Sequence, residues 1–114
     1  MEIERAPQNH EIHVIREILP YILDGSKTIE IRTAASRFTQ IQTGDTLTFN
    51  DLPESIRRVM RIGRYDSFDE LLSAEDPEQI MPGMPVGEIL SLLNQFYDSR
   101  AQRRGVLAFE LGKV

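Results

Sequence analysis

Three ionisable side chains fall within a short, otherwise apolar run, Gly25-Ser26-Lys27-Thr28-Ile29-Glu30-Ile31-Arg32. The Ile and Thr content and the alternation over Thr28–Thr33 read as a strand. Strand parity places Thr28, Glu30 and Arg32 on one face and Ile29 and Ile31 on the other. Lys27 falls on the Ile face by strict alternation. It lies beside a turn, where parity is weakest, and can still turn towards Glu30. A Glu and an Arg two apart on one face reach each other and offer an acceptor beside a planar donor fork. That set suits the edge of a nucleobase together with a phosphate. It also suits a surface ion pair on a half-exposed strand.

Two chemistries follow from the cleft reading. In a hydrolase, Lys27 serves as a base only if burial or a nearby cation lowers its pKa. Glu30 beside it acts the other way, and a charged Lys27 suits polarising a carbonyl or holding a phosphate. Glu30 then positions or deprotonates a water. In a binding module, Arg32, Arg61 and Arg64 neutralise phosphates. Tyr65 or Tyr97 stacks on a base, worth about 1–3 kcal/mol. Glu30 accepts from an exocyclic amine. Tyr97 follows Phe96 in an amphipathic run and equally fits the core face of a helix.

The 114 residues carry 13 Lys+Arg against 18 Asp+Glu, a net charge of −5, with no Cys. A chain of this length suits one domain, and two independent cores would be marginal. Without cysteine there are no disulfides, no Cys-ligated zinc and no thiol nucleophile. The acidic balance argues against a generally basic nucleic-acid binder, but the charge is uneven. Arg57, Arg58, Arg61 and Arg64 form one basic cluster, Arg100, Arg103 and Arg104 a second, and Lys27, Arg32 and Arg37 a third. Asp66, Asp69, Glu70, Glu75, Asp76 and Glu78 form an acidic run that reads as a solvated face. His10 and His13 lack a third spaced ligand, so no metal is expected. No GxxxxGK[ST] or GxGxxG occurs, and no cofactor is expected. No long apolar run implies a membrane span, and the polar opening residues do not read as a signal peptide. The expectation is a cytoplasmic protein.

The elements that must position these residues are short. His10–Ile15 reads as a strand, and Ile15–Leu23 as a helix ended by Asp24-Gly25, with Pro20 a kink or a shifted start. Strands follow at 28–33, 46–49 and 56–65. Ser67-Phe68-Asp69-Glu70 is a capping box ahead of a helix over 68–74. Pro82-Gly83-Met84-Pro85 is a loop, with Met81 and Met84 packing it down. Gly87–Asp98 is an amphipathic helix, and Gly105–Leu111 a closing strand. The order, β-α-β-β-β-α-α-β, predicts a small mixed α+β barrel.

Taken in series, four further stretches join Gly25–Arg32. They are Thr43-Gly44-Asp45-Thr46-Leu47-Thr48-Phe49, Tyr65-Asp66-Ser67-Phe68-Asp69-Glu70-Leu71-Leu72, the helix ending Phe96-Tyr97, and Gly105-Val106-Leu107-Ala108-Phe109-Glu110-Leu111. Together they resemble the ASCH domain of the PUA-like superfamily, from about Ile12 onwards. The resemblance implies a single domain over 1–114, a small PUA-like mixed β-barrel with flanking helices around a cleft. It implies binding of RNA or a small nucleoside. The cleft residues would be Lys27, Glu30 and Arg32, with Tyr65, Ser67 and Tyr97 as neighbours. One branch of the family hydrolyses the amide of acetylated cytidine. It resembles this chain at Lys27 and Arg32 but has Thr where Glu30 stands. Its further catalytic Glu, ahead of the last helix, falls near both Glu78 and Glu88. The leading expectation is an RNA- or nucleoside-binding domain. The alternatives are a nucleoside amidohydrolase with Lys27 and Glu30 as catalytic groups, and a non-catalytic interaction domain.

Overall fold

Alternating β-branched and aromatic residues form five strands in a computed structural model that describes residues 5–114. These are β1 (Asn9–Ile12), β2 (Ile29–Thr33), β3 (Thr46–Phe49), β4 (Arg57–Tyr65) and β5 (Val106–Gly112). Their order across the single sheet is β1-β3-β4-β5-β2. β1 runs parallel to β3, and the other neighbours are antiparallel. A register shift between Val59 and Arg61 bulges β4 and leaves Met60 exposed.

Among the described residues, six α-helices surround the sheet, besides a single 3-10 turn at Pro53–Ser55: α1 (Leu19–Leu23), α2 (Ser36–Thr39), α3 (Phe68–Ala74), α4 (Pro77–Ile80), α5 (Val86–Phe96) and α6 (Ser99–Gln102). β5 divides two apolar cores. Leu107, Phe109 and Leu111 pack with Ile12, Ile22, Leu47, Phe49 and Val59 on one side. Val106 and Ala108 pack with Ile29, Ile31, Phe68, Leu71 and Ile89 on the other. Among the described residues no helix is long and apolar enough to cross a membrane.

The α+β class stands, but the expected barrel does not close. β1 and β2 are the two edges of the sheet and share no backbone ladder. The chain between them crosses the gap as loop and helix instead of extending either strand. Side chains bridge it. The Arg32 Nη2 donates to the His13 carbonyl at 2.6 Å and the Arg37 Nη2 to the Glu11 carbonyl at 3.2 Å. Both guanidinium groups lie over the Phe38 ring, at 5.4 and 4.9 Å from its centroid, a cation–π arrangement.

The first helix is shorter than its apolar spacing suggests. Pro20 has no N–H and clashes with a preceding helical turn, so it is accommodated only in the first turn, and α1 starts at Leu19. Gly25, at φ +84°, ends it as expected. β1 stops at Ile12 because Asn50 takes over the pairing. Its side chain accepts from the Val14 amide at 2.8 Å and donates to the Val14 carbonyl at 3.0 Å. α2, α4 and α6 were not anticipated. Each has four residues, too few for periodicity to register. Asp76 and Asp98 cap α4 and α6 by accepting from the Glu78 and Ala101 amides.

The Gly44-Asp45 turn holds a buried carboxylate. Asp45 accepts from the Gln8 and Gln42 amides at 3.0 and 2.9 Å and from both terminal nitrogens of Arg5 at 2.9 and 2.8 Å. The His10 Nε2 lies 2.8 Å away. The Arg5 guanidinium, helped by the amides against the opposing effect of burial, holds this carboxyl well below the usual range. Asp45 thereby ties the segment before β1 to β3.

Candidate functional site

Lys27, Glu30 and Arg32 meet at the free edge of β2. The strand starts where the Thr28 amide donates to the Gln79 carbonyl, which lays it against α4. Lys27 is only 5% exposed. Its Nζ donates to the Ile29 carbonyl at 2.5 Å and to the Ile80 carbonyl, at the end of α4, at 2.8 Å. It lies 3.6 Å from the Glu30 Oε1. A lysine next to the turn is long enough to reach round to the Glu30 side of the strand.

Glu30 is 6% exposed. Its Oε1 accepts from the Ile31 amide at 2.9 Å and its Oε2 from the Arg32 Nη2 at 3.2 Å. The Arg32 Nε is buried without an acceptor among the described residues. Burial pushes the Lys27 ammonium below its ordinary value, and the attraction of Glu30 only partly opposes this. Burial pushes the Glu30 carboxyl up, but the Lys27 and Arg32 cations and the Ile31 amide outweigh it, so the net direction is down.

These groups open into a pocket of about 310 Å³. Tyr97, at the end of α5, lines it too, its ring 5.8 Å from that of Phe68. Burial pushes the Tyr97 phenol up, with Arg32 opposing and Glu30 assisting. The other walls are largely apolar. Val14, Ile15 and Ile18 come from the segment after β1, and Ile80 and Met81 from the end of α4. Ile89, Leu92, Leu93 and Phe96 come from α5. Ile15 and Phe96 remain 42% and 50% exposed at this pocket. A concave apolar site with a few convergent polar groups is the usual form of a small-ligand pocket.

Four of the expected site residues lie elsewhere. Arg61 donates to Glu75 at 3.1 and 2.5 Å and lies 3.6 Å from Glu110. The Tyr65 hydroxyl also donates to Glu75. Ser67 caps α3 by accepting from the Glu70 amide at 3.1 Å. Arg64 is exposed on β4. None of them lines the pocket. Glu78 accepts from the Gly83 amide and braces the Pro-rich loop, and Glu88 is exposed in the first turn of α5. Glu75, part of the acidic run expected to be solvated, is instead buried over β4. Gly63 makes room for it: a Cβ there would meet the Glu75 Oε2 at 2.7 Å and the Tyr65 ring at 2.9 Å. Gly63→Ala is expected to lower stability by about 1–3 kcal/mol in urea unfolding, with the β2 pocket unaffected. An unchanged midpoint would mean that Glu75 can leave its site freely.

The apolar walls were not picked out as site residues. Ile15, Ile18, Leu92, Leu93 and Phe96 read as core because they recur at helical spacing. Their partial exposure is set by the gap between the two sheet edges.

No protein-family model matches the chain, and no curated protein matches it. Solved structures do. The crystal structure of hypothetical protein PH0355 is 31% identical, with a TM-score of 0.83, over 94% of this chain and 99% of that one. The solution NMR structure of protein PF0455 from Pyrococcus furiosus is 30% identical, with a TM-score of 0.73, over 91% of this chain and 96% of that one.

Proposed function

The chain belongs to one family with hypothetical protein PH0355 and protein PF0455, and we propose that it is an ASCH-type, PUA-like domain that binds a nucleoside in the β2 pocket, free or as the unstacked base of an RNA. The observation that carries this reading is the convergence of Lys27, Glu30, Arg32 and Tyr97 on one apolar-walled pocket. The walls suit a planar base and Tyr97 a stacking contact. Each Glu30 oxygen has lone pairs beyond those already used, and so accepts further from ring or exocyclic N–H groups. A base held singly is favoured over a long RNA tract. Arg61, one of the cations expected to neutralise phosphates, is held by Glu75 and Glu110.

Calorimetric titration with nucleosides and with short RNA at two salt concentrations tests the reading. Nucleoside binding is expected to change little with salt, because phosphate contacts contribute the salt dependence. Tyr97→Ala is expected to weaken binding by roughly tenfold or more, the equivalent of one lost base-stacking contact. Failure of every nucleoside and RNA to bind at low salt would exclude it.

A second reading is favoured by Lys27 in particular. With Arg32 it keeps the Glu30 carboxyl ionised, and an ionised carboxylate facing the pocket serves as the base towards water. In an acylated nucleoside amine, water would add to the acyl carbon and the C–N bond would break. The proton would pass to the departing amine, giving a carboxylic acid and the free nucleoside. Incubation with acetylated cytidine followed by chromatography reads this directly. Unchanged substrate at high protein concentration would leave the binding function alone.

A further inference from the structure

Pairing with β5 fixes the direction of every backbone group on β2. The Leu111 amide donates to the Thr28 carbonyl at 2.8 Å, and the Ala34 amide to the Gly105 carbonyl at 2.9 Å. With the register of the pair, these bonds turn the Thr28 carbonyl and the backbone groups of residues 30, 32 and 34 towards β5, while the Thr28 amide goes to Gln79. The backbone groups of Ile29, Ile31 and Thr33 point outwards. β2 is an edge, so no further strand meets them. Three are met locally. The Ile29 carbonyl accepts from the Lys27 Nζ, the Ile31 amide donates to Glu30, and the Thr33 carbonyl accepts from the Ala35 amide. The Ile29 and Thr33 amides and the Ile31 carbonyl meet no partner among the described residues, and of these three residues Ile31 is the one that lines the pocket. The pocket draws on both faces of the strand, Glu30 and Arg32 from one and Ile31 from the other, and so straddles this edge. A buried carbonyl without a donor is uncommon and calls for a partner.

Glu30 accepts from Arg32 on one oxygen and from the Ile31 amide on the other, which sets the guanidinium, the carboxylate and the Ile31 carbonyl beside one another: a donor, an acceptor and an acceptor. Lys27 adds no donor, since its protons are directed to the Ile29 and Ile80 carbonyls and towards Glu30. We infer that the nucleoside taken by this pocket carries a guanine edge, with O6 facing Arg32, N1–H facing Glu30 and the 2-amino group facing the Ile31 carbonyl. Guanine presents an acceptor and two donors in one plane, the complement of this order. Cytosine has a single donor, and uracil turns its O2 onto the Ile31 carbonyl. Adenine lacks a donor on its ring nitrogens along this edge. Inosine matches guanine except for the amino group. The inference rests on the nucleoside-binding reading and goes beyond it by naming the base.

The test uses the unaltered chain and the 5′-monophosphates of guanosine, inosine, adenosine, cytidine and uridine, which share their phosphate and differ in the base. Calorimetry gives the affinities. An HNCO spectrum follows the Ile31 carbonyl carbon through the Arg32 amide. Guanosine monophosphate is expected to bind tightest, by about tenfold over inosine monophosphate, as for one lost base-edge contact. It is expected to move the Ile31 carbonyl resonance, and inosine monophosphate to leave it in place. Equal binding of the two, an unmoved Ile31 carbonyl with guanosine bound, or tighter binding of another base would overturn the guanine assignment and leave nucleoside binding standing. Binding of none of the five would remove both.

Discussion

Glu30→Ala is expected to destabilise the chain by about 3–5 kcal/mol, the usual result of removing one partner from a buried ion pair. The Lys27 Nζ, 3.6 Å from Glu30 and nearly inaccessible, would keep its two carbonyl acceptors but lose its counter-charge. The Ile31 amide would lose its acceptor, and Arg32 one of its two. Urea unfolding reads the loss as a lowered midpoint. Replacing both members, Lys27→Met with Glu30→Leu, is expected to recover part of the stability, because no uncompensated Lys27 charge is left buried, while the Ile31 amide and Arg32 still lack their Glu30 acceptor. The double variant is expected to fold without binding nucleoside. That combination separates what the pair does for the fold from what it does for the ligand. A single Glu30→Ala change costing under about 1 kcal/mol would show that the pair is solvated rather than buried.

Asp45→Asn should cost about 3 kcal/mol, because one carboxylate oxygen becomes an NH₂ among donors. The Gln8 amide and Arg5 face Oδ1, while the Gln42 amide, His10 and Arg5 face Oδ2. Whichever way the amide turns, a buried backbone N–H meets another donor. The substitution also changes the response to acid. The Asp45 carboxyl is lower in the folded chain than in the unfolded one, so the unfolded chain binds the proton first. Its contribution is present in full above the unfolded value, about 3.9, and is lost as pH falls below it. Glu30 and Glu75 are lowered as well and act in the same sense. The Asn variant is therefore expected to show a shallower loss of stability below about pH 4 than the parent, and not a flat profile. Thermal unfolding at a series of pH values measures both effects. Parallel curves for the two proteins would count against the Asp45 assignment.

What could be read in advance follows the range of the interactions involved. β3 and α3 lie where alternation and a capping box put them, and the Ser67 cap forms as its spacing requires. These are local signals within a few residues. The Lys27–Glu30–Arg32 grouping was legible for the same reason, since its members lie within six residues, Lys27 just ahead of β2 and the other two on it. The placement of Arg61 and Tyr65 was not. Both are captured by Glu75, which nothing in the acidic run distinguishes from its solvated neighbours. The open sheet was equally hidden. Whether β1 and β2 join depends on the path of residues 13–28, and there Pro20 and the Asn50 clamp on Val14 decide the route. The pocket is a product of that gap, so its apolar walls carried no mark of their own.

The position of β2 in the sheet also bears on the order of assembly. Its one strand partner is β5, and every element from α2 to α6 lies between them in the chain. Closing so long a loop carries an entropic cost before the pairing repays it, so contacts of this kind form late. The β3–β4 hairpin and the capped α3 involve near neighbours and can organise first. A chain still emerging from the ribosome, or one cut before Val106, would hold Lys27, Glu30 and Arg32 on a segment with no strand to lie against. Ligand binding should therefore report completion of the whole fold, appearing only once β5 has docked.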